Sequence, residues 1–198
     1  LFSLQQQVGK SNLVGLTFGL STRTTDTAFN PRSGRILRWT NEVDFDGLGS
    51  DWEVWTSRLS WDEYVPLGFS EQEVPPGLRI STGAALAMPF GDTEVVPYTE
   101  RLFLGGFNTL RGFEFRGVGP NTQQSQLVEG GESMLRASIE YRYPIVTQTR
   151  PGSYQKIEMF RVHLFVDTGV LGTEFDNMDL SEYRAAAGFG LALVFPIP

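Results

Sequence analysis

The stretch Phe103-Leu104-Gly105-Gly106-Phe107-Asn108-Thr109-Leu110-Arg111-Gly112-Phe113 decides how the rest of this chain is read. A glycine pair is followed, five residues on, by an arginine, a glycine and an aromatic ring. Farther along, Gly117-Val118-Gly119-Pro120 cannot be helix and does not suit a central strand, because proline lacks the N–H a ladder needs. The segment therefore reads as a loop, over about residues 105–131, built to put one arginine in a fixed place. That is too long for a simple hairpin, and connections beyond ~12–15 residues without structure of their own usually carry function or are disordered.

On both sides of the loop the sequence alternates with period 2, and seven segments read as strands: 12–24, 35–45, 52–65, 78–88, 133–143, 158–170 and 183–195. In the first, Val14, Leu16, Phe18 and Leu20 share one face, while Gly15, Thr17, Gly19 and Ser21 share the other. In the fifth, Leu135, Ala137, Ile139, Tyr141 and Tyr143 oppose Arg136, Ser138, Glu140 and Arg142. The sixth sets Phe160, Val162, Leu164 and Val166 against Arg161, His163, Phe165 and Asp167. Turn residues separate the first strands, at Asn30-Pro31-Arg32-Ser33-Gly34 and Asp46-Gly47-Leu48-Gly49-Ser50. No segment shows a convincing amphipathic helix.

Strands of this kind fit two all-β architectures. In a soluble sandwich the apolar face is the core and the polar face meets water. In an antiparallel transmembrane β-barrel the apolar face meets lipid and the polar face lines a lumen. Three features favour the barrel. Gly, Ala and Ser sit beside charges on the presumed inner face. Aromatics gather near strand ends (Trp52, Trp55, Trp61, Tyr64, Tyr141, Tyr143, Tyr183, Phe195), as interfacial girdles do. Short turns alternate with longer connections.

Composition agrees and narrows the function classes. The chain has 198 residues, a length that suits one β domain over residues 1–198. No run of ~18 apolar residues suggests a transmembrane helix, and residues 1–10 lack the features of a secretory signal. A formal net charge of -7 argues against nucleic acid as a partner, because no basic patch neutralises phosphates. Cysteine is absent, which excludes disulfide scaffolds and thiolate metal sites.

Loop and strands together resemble the C-terminal half of the barrel in the outer-membrane protein assembly factor family, the BamA-like bacterial surface antigens. Gly105-Gly106 with Leu110-Arg111-Gly112-Phe113 is similar to that family's sixth extracellular loop. Gly130-Gly131 leading to Ile139-Glu140-Tyr141-Arg142 is similar to the next strand, and Phe165-Val166-Asp167-Thr168-Gly169 to the one after it. Pro31-Arg32-Ser33-Gly34 resembles a periplasmic turn. The resemblance implies a 16-stranded barrel, of which about seven strands are here. It implies that Arg111 folds into the lumen and pairs with Glu140 and Asp167. Parity supports this independently, since both acids fall on the polar faces of their strands, and a guanidinium fork fits carboxylates bidentately. Gly112 is expected to allow close approach or a positive φ, and Phe113 to wedge the loop against the wall.

The implied activity is non-enzymatic: folding and inserting other outer-membrane proteins in a bacterial-type outer membrane. Its implied partners are unfolded clients, lipid and accessory lipoproteins, with no cofactor. A translocation pore of the two-partner-secretion type is the alternative, and a soluble β-sandwich binding module a weaker one. The end at residues 195–198 resembles the close of a penultimate strand. The expectation is therefore an excerpt, or a chain that needs other segments to close its barrel, since open edges find no partners in lipid.

Other constellations have blander readings. His163 is the only histidine and has no second His or Cys to complete a metal site, so it reads as lumen lining. An arginine beside Glu140 and Asp167 would keep both ionised and leave no acid for glycoside hydrolysis. Asp44, Asp46 and Asp51 lack EF-hand spacing and read as a solvated turn. Ser33 and Ser181 have no nucleophile-elbow context, and no helix follows the glycine pair to bind phosphate.

Overall fold

Seven strands form in the computed structural model: β1 (Gly15–Arg23), β2 (Gly34–Asp44), β3 (Val54–Pro66), β4 (Gly77–Pro89), β5 (Ser133–Thr149), β6 (Lys156–Gly172) and β7 (Arg184–Leu193). The structure describes residues 10–68, 74–119, 128–149, 152, 154 and 156–193. Expectations for Pro120 and for residues 1–9 and 194–198 lie outside that set. The strands lie in one sheet in sequence order, each antiparallel to the next, with β1 and β7 at the edges. The only helical turns among the described residues are 3-10, at Asp46–Leu48 and Leu180–Glu182.

Register carries the alternation across the whole sheet. One row runs Ile36, Asp62, Ser81, Ser138, Asp167, Ala186. The next runs Tyr64, Arg79, Glu140, Phe165, Gly188. These residues share one face, where Asp167 and Glu140 are buried. The opposite face leaves Phe18, Trp39, Leu59, Ile139, Leu164 and Phe189 exposed, with Phe18 at 57 % and Phe189 at 76 %. So long an apolar surface needs a covering in a stable protein, and lipid provides it. No second sheet covers it among the described residues, contrary to the sandwich alternative.

The sheet curls toward its polar face. Four strand spacings of about 4.8 Å separate β2 from β6 in a flat sheet, ~19 Å in all. Yet Arg32, in the turn before β2, places Nη2 2.8 Å from Glu158 Oε2 on β6.

Two expectations need correction. β5 does not stop at Tyr143 but continues through Pro144 to Thr149. The ladder to β6 absorbs the proline with register irregularities between Pro144 and Val146 and between Val146 and Thr147. These change the face parity. Residues three apart on a regular strand point to opposite faces, but Glu158 lies 3.5 Å from Arg161 on the inner face. The aromatic girdle also loses two members. Tyr64 points inward and is buried, with the Arg142 guanidinium 5.3 Å from its ring centre. Trp52 packs against the internal core described next.

That core is made by the long connection, not by two sheets. Val96, Leu102, Leu104, Leu110 and Val118 of the loop pack onto Val54, Ala85, Ala87 and Leu171 of the wall. Alanine at 85 and 87 keeps the inner face of β4 low enough for the loop to sit there.

Glycines make similar room for large inner side chains on neighbouring strands. A Cβ at Gly188 would stand 2.6 Å from the Phe165 ring, which lies across it. Gly188→Val should therefore push that ring off its seat and destabilise the protein by about 1–3 kcal/mol, as overpacking does. Thermal unfolding of the intact protein in detergent checks this, and an unchanged midpoint would show that the ring has other room.

Candidate functional site

The loop leaves β4 and reaches the inner wall through a pinned neck. Leu102 and Gly131 exchange backbone hydrogen bonds in both directions (2.7 and 2.8 Å), and the Val118 N–H donates to the Leu104 carbonyl at 3.0 Å. Beside the neck, Arg101 donates from Nη1 to Glu132 Oε1 at 3.1 Å and from Nη2 to the Thr173 carbonyl at 3.0 Å. Burial pushes the Glu132 carboxyl up and the Arg101 guanidinium down from their usual values, against the attraction between them. The dehydration of both charges offsets much of their attraction, so such a pair is weak evidence for stability.

Beyond the neck the glycine pair turns the chain back on itself. Gly105 and Gly106 hold φ of 113° and 98°, the left-handed region where a side chain is strained. The Thr109 hydroxyl accepts from the Gly105 N–H at 3.0 Å and donates to the Gly105 carbonyl at 2.9 Å. The Gly106 N–H donates to the carbonyls of Leu110 and Phe113, each at 3.1 Å. The tight coil buries Leu110 completely and sends the next side chain, Arg111, down to the wall.

Arg111 meets the wall with five hydrogen bonds. Its backbone N–H donates to Asp167 Oδ2 at 3.1 Å, Nε to the same oxygen at 2.7 Å, and Nη2 to Oδ1 at 2.8 Å. Nη1 donates to Glu140 Oε2 at 2.6 Å, and Nη2 also reaches Ser138 Oγ at 3.1 Å. The guanidinium carbon stands 3.7 Å from the centre of the Phe165 ring. Hydrogen bonding to Asp167 holds the Arg111 pKa above its already high value, so the side chain is always a cation. Glu140 spends its other oxygen on Arg142 Nε at 2.7 Å. Two guanidiniums thus neutralise two carboxylates in a partly dry site.

The sequence-derived residues meet in one place. Gly105 and Gly106 form the coil, Leu110 enters the internal core, and Phe113 packs against that core. Gly112 has a φ of 87°, and a Cβ there would lie 3.1 Å from the Ala186 methyl, so the conformation and the close approach both favour glycine. Arg111, Glu140 and Asp167 are in direct contact. Sequence reasoning missed Ser138, Phe165 and Arg142 as members. Ser138 sits directly opposite Asp167 in the register and donates to its Oδ1 at 2.6 Å. Phe165 carried a signal, as an aromatic ring on a face otherwise given to Arg161, His163 and Asp167. An isolated ring among charges suits a stacking partner for a guanidinium.

Comparison with known proteins bears on the family and the fold. Residues 3–198 match the model of the Omp85 superfamily domain. Sorting and assembly machinery component 50 homolog A of Xenopus laevis is 25 % identical over 177 residues, which cover 86 % of this chain and 34 % of that protein. Outer membrane protein assembly factor BamA of Nitratidesulfovibrio vulgaris is 30 % identical over 118 residues, 60 % of this chain and 14 % of the relative. The crystal structure of BamA from Haemophilus ducreyi lacking POTRA domains 1-3 superposes with a TM-score of 0.72 at 23 % identity, covering 92 % of this chain and 36 % of that one. This chain therefore spans about a third or less of these proteins. A family match over nearly the whole sequence, joined to seven meandering strands with a loop folded onto their polar face, means that the chain belongs to the Omp85 superfamily.

Proposed function

We propose that this chain forms part of an outer-membrane β-barrel that folds and inserts other outer-membrane proteins, and that the Arg111 loop is a latch holding its inner wall in shape. The observation that carries the reading is the Arg111 cluster, in which one loop side chain ties β5 to β6 from inside the sheet. A barrel that opens to admit client strands must keep the rest of its wall intact. An internal tie answers that need without occupying the lipid-facing surface. Client strands would pair by edge addition, in which backbone groups give affinity with little demand on sequence. The two kinds of relative carry the words assembly machinery and assembly factor in their names, which supports an assembly role over export of a single substrate. The single domain, the bacterial-type outer membrane, and accessory lipoproteins as partners belong to the same proposal.

Reconstitution tests it. The intact protein in lipid vesicles should speed the folding of an urea-unfolded outer-membrane protein over bare vesicles, read by the heat-dependent gel shift of the client. Arg111→Ala should remove most of that gain. No gain with the unaltered protein would overturn the assembly reading.

A further inference from the structure

A second inward-folded segment lies at the opposite mouth of the sheet from the long loop. It is the connection between β1 and β2, which the sequence marks only as a turn. Asp26 builds it locally, with Oδ1 accepting from the backbone N–H groups of Thr27 and Arg32 at 3.0 Å each and from that of Ser33 at 3.3 Å. The turn does not hang from the rim. Arg32 donates to Glu158 Oε2 at 2.8 Å, and Asn30 accepts from Arg161 and lies 3.5 Å from the same Glu158 oxygen. The Pro31 carbonyl accepts from Arg142 Nη1 at 3.4 Å. Asn30, a non-glycine residue at a φ of 52°, gives the turn the sharp bend this posture needs.

Arg142 is the link to the other mouth. Its Nε binds Glu140 Oε1, while Glu140 Oε2 binds Arg111. Hydrogen bonds therefore run without a break from Asp167 through Arg111, Glu140 and Arg142 to Pro31. The inner rows of the sheet explain why this line exists. Glu140 lies between the rows that hold Asp167 and Arg142, so one carboxylate can serve both guanidiniums.

We infer that the β1–β2 turn is a second latch, and that Arg142 is a positioning residue through which the two latches strengthen each other. This rests on the Arg111 latch proposed above and goes beyond it by giving the opposite mouth a dependent partner. With Arg111 in place, Glu140 is held on one oxygen and presents the other to Arg142 in a fixed direction. Arg142 is then aimed at Pro31. When Arg111 leaves, Glu140 regains freedom, Arg142 follows, and the turn loses one of its four hydrogen bonds to the wall.

Hydrogen exchange on the intact protein in detergent reads both mouths at once. The turn's Asp26 bonds are exposed, so their survival depends on the turn being docked. Arg111→Ala should speed exchange in residues 104–118 and, at the other mouth, in residues 26–34 by about fivefold, the lower end of ordinary coupling factors. In an Arg142→Gln background, Arg111→Ala should speed only the loop, because the line is already cut. Glu158→Gln should free the turn whatever the state of Arg142. A faster loop with an unchanged turn after Arg111→Ala would overturn the coupling and leave the first latch standing. No change at either mouth would overturn both. If Arg111→Ala fails to assemble, Arg111→Lys keeps the charge without the fork and is read on the same segments.

Discussion

Arg111→Ala should destabilise the barrel by about 3–5 kcal/mol, the usual consequence of removing one member of a buried ion pair. The reason lies in what stays behind. Asp167 loses two side-chain donors and keeps the Ser138 hydroxyl and the Arg111 backbone N–H. Glu140 keeps Arg142 alone. Two buried carboxylates then face each other on adjacent strands, and the guanidinium still bound to Glu140 lies on its far side from Asp167. Arg111→Lys should fall between, because an ammonium is a point charge that cannot serve Asp167 bidentately and Glu140 together. The check is the midpoint of thermal unfolding of the intact protein in detergent, followed by the heat-dependent gel shift. A midpoint for Arg111→Ala within a degree of the unaltered protein would sink the latch, whatever the effect on activity.

The same cluster shows how far the sequence could be read. Period-2 alternation was enough to place all seven strands, because a one-residue slip would have turned every apolar residue to the lumen. It also put Glu140 and Asp167 on the inner face, and the spacing of glycine pair to arginine marked the loop. Alternation failed where the ladder is irregular. Past Pro144 two bulges compensate each other, so Glu158 faces inward beside Arg161, which no count by twos from Phe160 would give. End position in a strand says nothing about face, so the girdle expectation fails for Tyr64, whose parity with Asp62 puts it inside. The docking of Asn30 and Arg32 on β6 was illegible for a different reason. It depends on the curl of five strands, which is a property of the whole sheet and of no single segment.

The internal core has a similar origin. Ala85 and Ala87 look like any small inner-face residues, and Leu102, Leu104 and Leu110 look like scattered loop leucines. Only the fold brings them together, and the union explains why the loop holds a shape at all. Buried apolar contacts fix the neck, and the charged cluster fixes the tip. A loop with the arginine alone would have to order its backbone for a handful of hydrogen bonds, at an entropic cost of about 1–2 kcal/mol for each residue held.

Leu104→Ala should accordingly destabilise the loop as severely as loss of the arginine, by about 2–5 kcal/mol and toward the upper end of that range. Leu104 is fully buried, with its methyls against the bare backbone of Gly169 on β6. The cavity left by truncation cannot collapse easily. Its floor is β-ladder, held in register by β5 on one side and β7 on the other, and the core it belongs to includes Ala85 and Ala87, which have no reach. The two substitutions differ in how they fail. Arg111→Ala frees the tip while the neck bonds of Leu102 and Gly131 persist, so proteolysis should begin between residues 105 and 118. Leu104→Ala loosens the neck itself and should expose residues on both sides of it. A second change sharpens the test. Gly169→Ala is harmful alone, since the new methyl would stand 2.9 Å from Leu104 and 3.1 Å from the Leu135 carbonyl. Joined to Leu104→Ala it fills part of the cavity, so the pair should be less destabilised than the sum of its members. Strict additivity would mean that Leu104 and Gly169 do not touch in the working protein, and the loop would then have to dock elsewhere on the wall.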